Sequence, residues 1–142
     1  MKTHELMSSS IISIHPDEPV SAAARQLQRN NIGALPVCDD SGRLRGIITD
    51  RDIVIRCIAA DMDPGETRIR EIMSRGVVSV SPDDSVEDAA RKMADHQVRR
   101  LPVVKEQQLV GMLSLCDLAR RSGCDMEAAE ALSEISSNFR RL

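Results

Sequence analysis

The chain has 142 residues, a formal net charge of −3 from interspersed signs, and 42% hydrophobic residues, with no Trp, no Tyr and the single Phe139. That length can bury a core without disulfide or metal support. The absence of a basic field and of aromatic stacking platforms argues against nucleic-acid binding. No apolar run approaches the ~18 residues of a membrane span, and the N-terminal MKTHELMSSS has no apolar h-region. Cys38, Cys57, Cys116 and Cys124 lack CxxC spacing. A cytoplasmic protein with reduced thiols and an aliphatic core is the expectation, with no membrane and no nucleic-acid partner.

In chain order, Ile11, Ile12 and Ile14 form a short β-branched run stopped by His15-Pro16-Asp17. Val20, Ala23, Ala24 and Leu27, continued by Asn31, then fall on the apolar stripe of a helix. Leu35-Pro36-Val37-Cys38 reads as a buried strand, with Pro36 near its start where a ladder donor is expendable. Asp39-Asp40-Ser41-Gly42 is hairpin chemistry, Leu44 to Ile48 returns as a strand, and Thr49 or Asp50 caps a helix running to about Ala60. After the turn-rich linker Asp61 to Gly65, Arg68 to Met73 is a short helix whose earlier counterpart is His4 to Met7.

The order then repeats. Met7–Val54 recurs as Met73–Ala119, about 66 residues on, with one deletion after Val104. Pro16 matches Pro82, Asp17 matches Asp83, Leu35-Pro36-Val37 matches Leu101-Pro102-Val103, Gly46 matches Gly111 and Asp52 matches Asp117. In the second copy Val77 to Val80 is a strand, Val86, Ala89, Ala90 and Met93 make the helix stripe, and Leu101–Val104 with Leu109–Leu113 form the hairpin. Two copies are too few for a solenoid. They predict an α+β fold of tandem repeats, each β-α-β-β-α and related by a pseudo-twofold, over residues 1–66 and 67–124. Residues 125–142 carry Met126, Ala129, Leu132, Ile135, Phe139 and Leu142 at helical spacing, a C-terminal amphipathic helix that packs on its own domain or on a partner.

The segments with chemistry are Gly46-Ile47-Ile48-Thr49-Asp50-Arg51-Asp52 and Gly111-Met112-Leu113-Ser114-Leu115-Cys116-Asp117. The glycine lets another backbone or a ligand approach the strand closely. The hydroxyl stands where strand becomes helix, and free N–H groups at that terminus favour an anion such as phosphate. The aspartate can accept hydrogen bonds from a vicinal diol such as ribose. The same residues also read as plain N-caps and capping boxes. Their appearance twice, beside a Leu-Pro-Val strand each time, favours a ribonucleotide site. No nucleophile–base pair, metal-ligand spacing or Gly-rich phosphate loop appears, so no enzyme activity is expected.

On these paired Leu-Pro-Val strands and paired Gly-x-x-Thr/Ser-x-x-Asp segments, residues 7–119 resemble the CBS-domain pair, also called a Bateman module, of the stand-alone bacterial type. The resemblance implies AMP, ADP or ATP, and in some members S-adenosylmethionine or NAD, held in two clefts that each mix residues of both repeats. It implies a homodimer that reports nucleotide state to a protein partner. One cleft would join Thr49, Arg51 and Asp52 with Val77, Val78, Arg100 and Pro102. By the same resemblance Asp52 would take the ribose there; Thr49, Arg51 and Arg100 would take phosphate, and the apolar strand residues would hold adenine. The other would join Ser114 and Asp117 with Ile11, Ile12, Ala34 and Pro36. Gly33-Ala34 stands where the second copy has Arg99-Arg100, so the first cleft is expected to bind more tightly. Two alternatives remain open: a ligand-free dimeric scaffold, and a zinc- or redox-responsive protein using Cys38, Cys57 and His15 or His96, with Cys116 a further oxidation or metal position.

Overall fold

In the computed structural model residues 1–120 are described. The helix expected over 125–142, and Cys124, lie outside the described residues. In each copy an extended residue with φ −69° and ψ 152° (Pro19, Ser85) precedes a helix of 11 residues, α1 (Val20–Asn30) or α3 (Val86–His96). Both end on a left-handed residue, Asn31 at φ 51° and Gln97 at φ 58°, whose N–H bonds back to the last turn's carbonyls. This cap is usually a glycine's place, and Asn tolerates it better than Gln. The expected stripes are buried at Val20, Ala23 and Leu27 and at Val86, Ala89, Ala90 and Met93. Ala24 and Asn31 are instead exposed, while Ala22 packs against the core, so the inward face keeps Val20, Ala23 and Leu27 and takes Ala22 at its edge in place of Ala24.

Each helix leads to an antiparallel hairpin, β1 (Ala34–Cys38) with β2 (Leu44–Thr49) and β3 (Arg100–Lys105) with β4 (Gln108–Ser114). Their registers correspond: Ala34 opposes Thr49, Pro36 opposes Ile47 and Val37 opposes Gly46, as Arg100 opposes Ser114, Pro102 opposes Met112 and Val103 opposes Gly111. A bulge follows at the same place in both, after Val37 and after Val103.

The first strand of each copy shrinks to one bridged residue. Ile14 donates to the Pro36 carbonyl (3.1 Å) and accepts from Cys38 (2.9 Å); Val80 donates to the Pro102 carbonyl (3.0 Å) and accepts from Val104 (2.8 Å). Pro16 and Pro82 arrive two residues later and end the pairing.

The closing helices differ between copies. After Thr49 come three α-helical residues, α2 (Asp50–Asp52), and then a π turn over Ile53–Ile58, with the Ala59 N–H bonded to the Val54 carbonyl at 2.8 Å. After Ser114 the chain winds as ordinary α-helix, α4 (Leu115–Ala119). Val54, Ile55 and Ile58 on the π turn are each more than half exposed.

The compact units are not the sequence copies. Among the described residues, one unit is Ile12–Val77 and the other is Met1–Ile11 together with residues 78–120. The boundary at 66/67 therefore divides the repeat in sequence, whereas Arg68–Val77 packs with the first copy and Met1–Ile11 with the second. Helix N-termini explain the exchange. The first N–H of α1 needs an acceptor and finds the Thr67 carbonyl (2.9 Å); that of α3 finds the Met1 carbonyl (3.0 Å). Each lead-in segment then makes one 3₁₀ turn, Thr3–Glu5 or Ile69–Glu71, and buries apolar residues: Leu6 in the core of Val86, Met93, Leu101, Val103, Leu113 and Leu118, and Ile69, Ile72 and Met73 in that of Val20, Leu27, Leu35, Val37 and Ile48.

Candidate functional site

β2 ends at Thr49, whose Oγ1 accepts the Asp52 N–H at 3.0 Å while Asp52 Oδ2 accepts the Thr49 N–H at 3.0 Å. Ser114 and Asp117 repeat this reciprocal pair at 3.1 and 2.8 Å. The capping-box reading of the sequence is thus realised in both copies. It does not exhaust the residues' chemistry: each hydroxyl proton can still be donated, and a carboxylate has room for further donors on its other oxygen.

The capping does change the anion argument. At the start of α2 the Asp50 N–H bonds the Gly33 carbonyl (3.0 Å), the Arg51 N–H bonds Asp50 Oδ1 (2.8 Å), and the Asp52 N–H is held by Thr49. In the second copy the Leu115 N–H likewise goes to the Arg99 carbonyl at 2.8 Å. The free backbone donors expected for a phosphate are already partnered at α2. Of the side chains at the start of α2, Arg51 is exposed; in the other unit Arg100 is exposed as well.

The motif glycines serve backbone and not ligand. A β-carbon on Gly46 would stand 2.6 Å from the Ser74 carbonyl oxygen, and one on Gly111 would stand 2.6 Å from Met7 Sδ and 3.0 Å from the Ser8 carbonyl oxygen. Close behind, Ile47 and Ser74 exchange two hydrogen bonds of 2.9 Å, and Met112 and Ser8 exchange two of 2.9 and 2.8 Å. The glycines admit the lead-in segments to the outer edge of the hairpin.

Strand register joins Ala34 to Thr49 and Arg100 to Ser114, so each hydroxyl faces its own copy's variable position. Pro36 and Pro102 are buried; Ile11, Val77 and Val78 are half-buried, and Ile12 is exposed. Val78 packs on the core of the second copy's unit. Sequence reasoning passed over Arg56. Its Nε lies 3.7 Å from Asp52 Oδ1 and its Nη1 donates to the Ile72 carbonyl at 3.2 Å. The available signal was its spacing, four residues after Asp52 on a helical segment.

Among the described residues the cysteines and histidines do not assemble. Cys57 is buried, its Sγ donating to the Met62 carbonyl at 3.4 Å. Burial pushes the Cys38 thiol above its usual range, against a lowering contribution from a Ser13 hydrogen bond. His15 accepts the Asp17 N–H on Nδ1 (3.1 Å) and meets Asp40 through Nε2 (3.1 Å), while Arg68 and Arg70 reach Asp17. Among the described residues no three His, Cys, Asp or Glu side chains gather where they could hold a metal ion. Among the same residues no helix is long and apolar enough to cross a membrane.

The CBS domain family model matches residues 4–58 and 69–123. The chain belongs to the CBS domain family. This CBS pair is 40% identical over 132 residues to the CBS domain-containing protein YhcV of Bacillus subtilis, covering 93% of each chain. A solved structure of Hypoxic Response Protein I with two coordinated zinc ions superposes at a TM-score of 0.78 with 36% identity, covering 85% of this CBS pair and 98% of that chain. The CBS domain pair of protein MJ0100, solved with 5′-methylthioadenosine and S-adenosyl-L-methionine, superposes at 0.72 with 31% identity, covering 84% and 94%. The expected fold, tandem CBS repeats of mixed helix and strand, is therefore the observed one, and the chain is a CBS pair, a regulatory module.

Proposed function

We propose that this CBS pair is a non-catalytic adenine-nucleotide sensor, a cytoplasmic homodimer that takes AMP, ADP or ATP and signals to a partner protein. The observation that carries the reading is the duplicated hydroxyl–aspartate pair. Thr49 and Asp52, like Ser114 and Asp117, are locked by the two bonds they share, and each still offers a hydroxyl proton and a second carboxylate oxygen to a ligand. A ribose presents the complementary groups. The similarity to a CBS pair solved with two adenosine compounds supports the same ligand class.

On the family resemblance, one site groups Thr49, Arg51 and Asp52 with Val77, Val78, Arg100 and Pro102, and the other groups Ser114 and Asp117 with Ile11, Ile12, Ala34 and Pro36. Because the backbone donors at α2 are partnered, phosphate recognition rests on Arg51 and Arg100. The site without a matching arginine binds more weakly, and a deficit of about 1.4 kcal/mol would be tenfold. Titration calorimetry of Asp52→Ala and Asp117→Ala tests the ranking: Asp52→Ala removes the tighter event, and loss of binding in Asp117→Ala alone reverses it.

A thermal-shift panel of AMP, ADP, ATP, S-adenosylmethionine, NADH and zinc tests the class, since a ligand preferring the folded state raises the melting temperature. The ligand-free scaffold is the second reading, favoured by the exposed Val54, Ile55 and Ile58. A dimer with no shift from any adenosine compound would replace the sensor with the scaffold. A shift with zinc alone would favour the zinc-responsive alternative.

A further inference from the structure

We propose that Arg56 is a positioning residue for the ligand-facing carboxylate of Asp52, setting the preference for ribose over 2′-deoxyribose. The inference rests on the adenosine reading above. Asp52 is 8% exposed, and its Oδ2 is committed to the Thr49 N–H at 3.0 Å. One hydrogen bond leaves a carboxylate free to tilt about it. The oxygen that remains for a diol, Oδ1, faces Arg56 Nε at 3.7 Å. The guanidinium is itself held, because Nη1 donates to the Ile72 carbonyl at 3.2 Å. Ile72 lies two residues before Ser74, whose paired bonds to Ile47 fix the segment to β2. The carboxylate plane is thus set from one side by the end of β2 and from the other by the lead-in segment through Arg56.

Geometry favours an orienting role over simple capping of Ile72. A guanidinium offers five donors in a rigid plane, and here one edge bonds the carbonyl while Nε turns to the carboxylate. At 3.7 Å the contact is an ion pair and not a tight hydrogen bond, so Oδ1 keeps its lone pairs for an incoming hydroxyl. The sequence supplies an independent observation. Arg121 follows Asp117 at the same four-residue spacing, whereas the exposed position beside the aspartate changes from Arg51 to Cys116 between copies. The duplication keeps the arginine behind the aspartate and lets the one in front vary.

The test is calorimetric titration of the full chain with AMP and ATP and their 2′-deoxy counterparts, for wild type, Asp52→Asn, Arg56→Lys and Arg56→Met. Wild type prefers the ribose forms and Asp52→Asn abolishes that preference in the tighter of the two binding events. Arg56→Met cuts it on the order of tenfold with little change in 2′-deoxy affinity, the scale of one well-placed hydrogen bond. Arg56→Lys, which keeps the charge and folds most like wild type, restores part of it. If Arg56→Met keeps the wild-type preference, or weakens ribose and 2′-deoxy ligands alike, the positioning role is overturned and the arginine is structural. If wild type binds none of the four ligands, the adenosine reading itself fails and the role falls with it; if they bind but do not need Asp52, the adenosine reading stands through Asp117 and the positioning role is overturned.

Discussion

The carbonyl oxygen of Ser74 lies 2.6 Å from the point where a β-carbon on Gly46 would stand. That oxygen also accepts the Ile47 N–H at 2.9 Å, so it cannot withdraw without breaking the bridge between β2 and the lead-in segment. At Gly111 the 2.6 Å neighbour is Met7 Sδ, the mobile end of a side chain, and the Ser8 carbonyl is further off at 3.0 Å. Gly46→Ala should therefore destabilise more than Gly111→Ala. Overpacking of this kind costs about 1–3 kcal/mol, with Gly111→Ala at or below the lower end. Urea denaturation followed by circular dichroism measures both, and equal or inverted losses would contradict the assignment.

Thr3 carries the exchange on the other side. It is fully buried, and its Oγ1 and N–H both donate to the Asp84 carbonyl at 2.9 Å. Its counterpart in the other lead-in is the apolar Ile69. Thr3→Ala removes a buried hydrogen bond and methyl packing, together about 1–2 kcal/mol. The unit composed of Met1–Ile11 and residues 78–120 should feel it first. Native-state hydrogen exchange by mass spectrometry should show protection falling in α3, β3 and β4 ahead of β1 and β2. Loosening of β1 and β2 first would mean that the lead-in serves the copy it precedes.

What the sequence made legible is local. The helix stripes at Val20 and Val86, the hairpins at Leu35-Pro36-Val37 and Leu101-Pro102-Val103, and the capping boxes at Thr49 and Ser114 are set by periodicity, turn residues and i to i+3 spacing. What it hid is non-local. Nothing in Met7 or Ser8 announces a partner as distant as Gly111 and Met112, and the glycine's purpose, backbone over ligand, depends on that crossing. The π winding of Ile53–Ile58 is hidden because an apolar run with helical spacing fits either pitch. The candidate site shares this division. Thr49 and Asp52 were legible from spacing, but the partnering of their neighbours' N–H groups, and the ion pair from Arg56, emerge with the fold.

Cysteine reactivity should follow burial. Desolvation raises the Cys38 thiol above its usual range, more than the Ser13 hydrogen bond lowers it, so less thiolate is present near neutral pH. Cys57 is buried and Cys116 is exposed. Native alkylation with iodoacetamide, read by peptide mass spectrometry, should label Cys116 well before Cys38 or Cys57, the latter two only after denaturant is added. Early labelling of Cys38 would show that its strand opens readily. Cys116 precedes Asp117 in the second motif, so nucleotide titration of a Cys124→Ser chain labelled at Cys116 also decides whether modification there disturbs binding.

The hairpin of the first copy adds a pH dependence. Burial alone would push the Asp39 carboxyl up, but hydrogen bonds from the Arg43 N–H, the Arg45 side chain and the Ser41 N–H, with the Arg45 charge, outweigh it and hold the group below its usual value. The folded state therefore binds that proton less readily than the unfolded chain does. The stabilisation is present above the unfolded carboxylate range and is lost as pH falls through the depressed folded value. Asp39→Asn can still accept the two backbone N–H groups but lacks the charge facing Arg45, whose Nε lies 2.8 Å away. Melting temperatures of wild type and Asp39→Asn, taken from neutral pH to about pH 3, should differ by a constant margin at neutral pH. That margin should shrink through the acid range, because protonated Asp39 comes to resemble the amide; the other carboxylates titrate in both proteins and cancel. A margin unchanged at the acid end would assign the effect to hydrogen-bond geometry instead of charge.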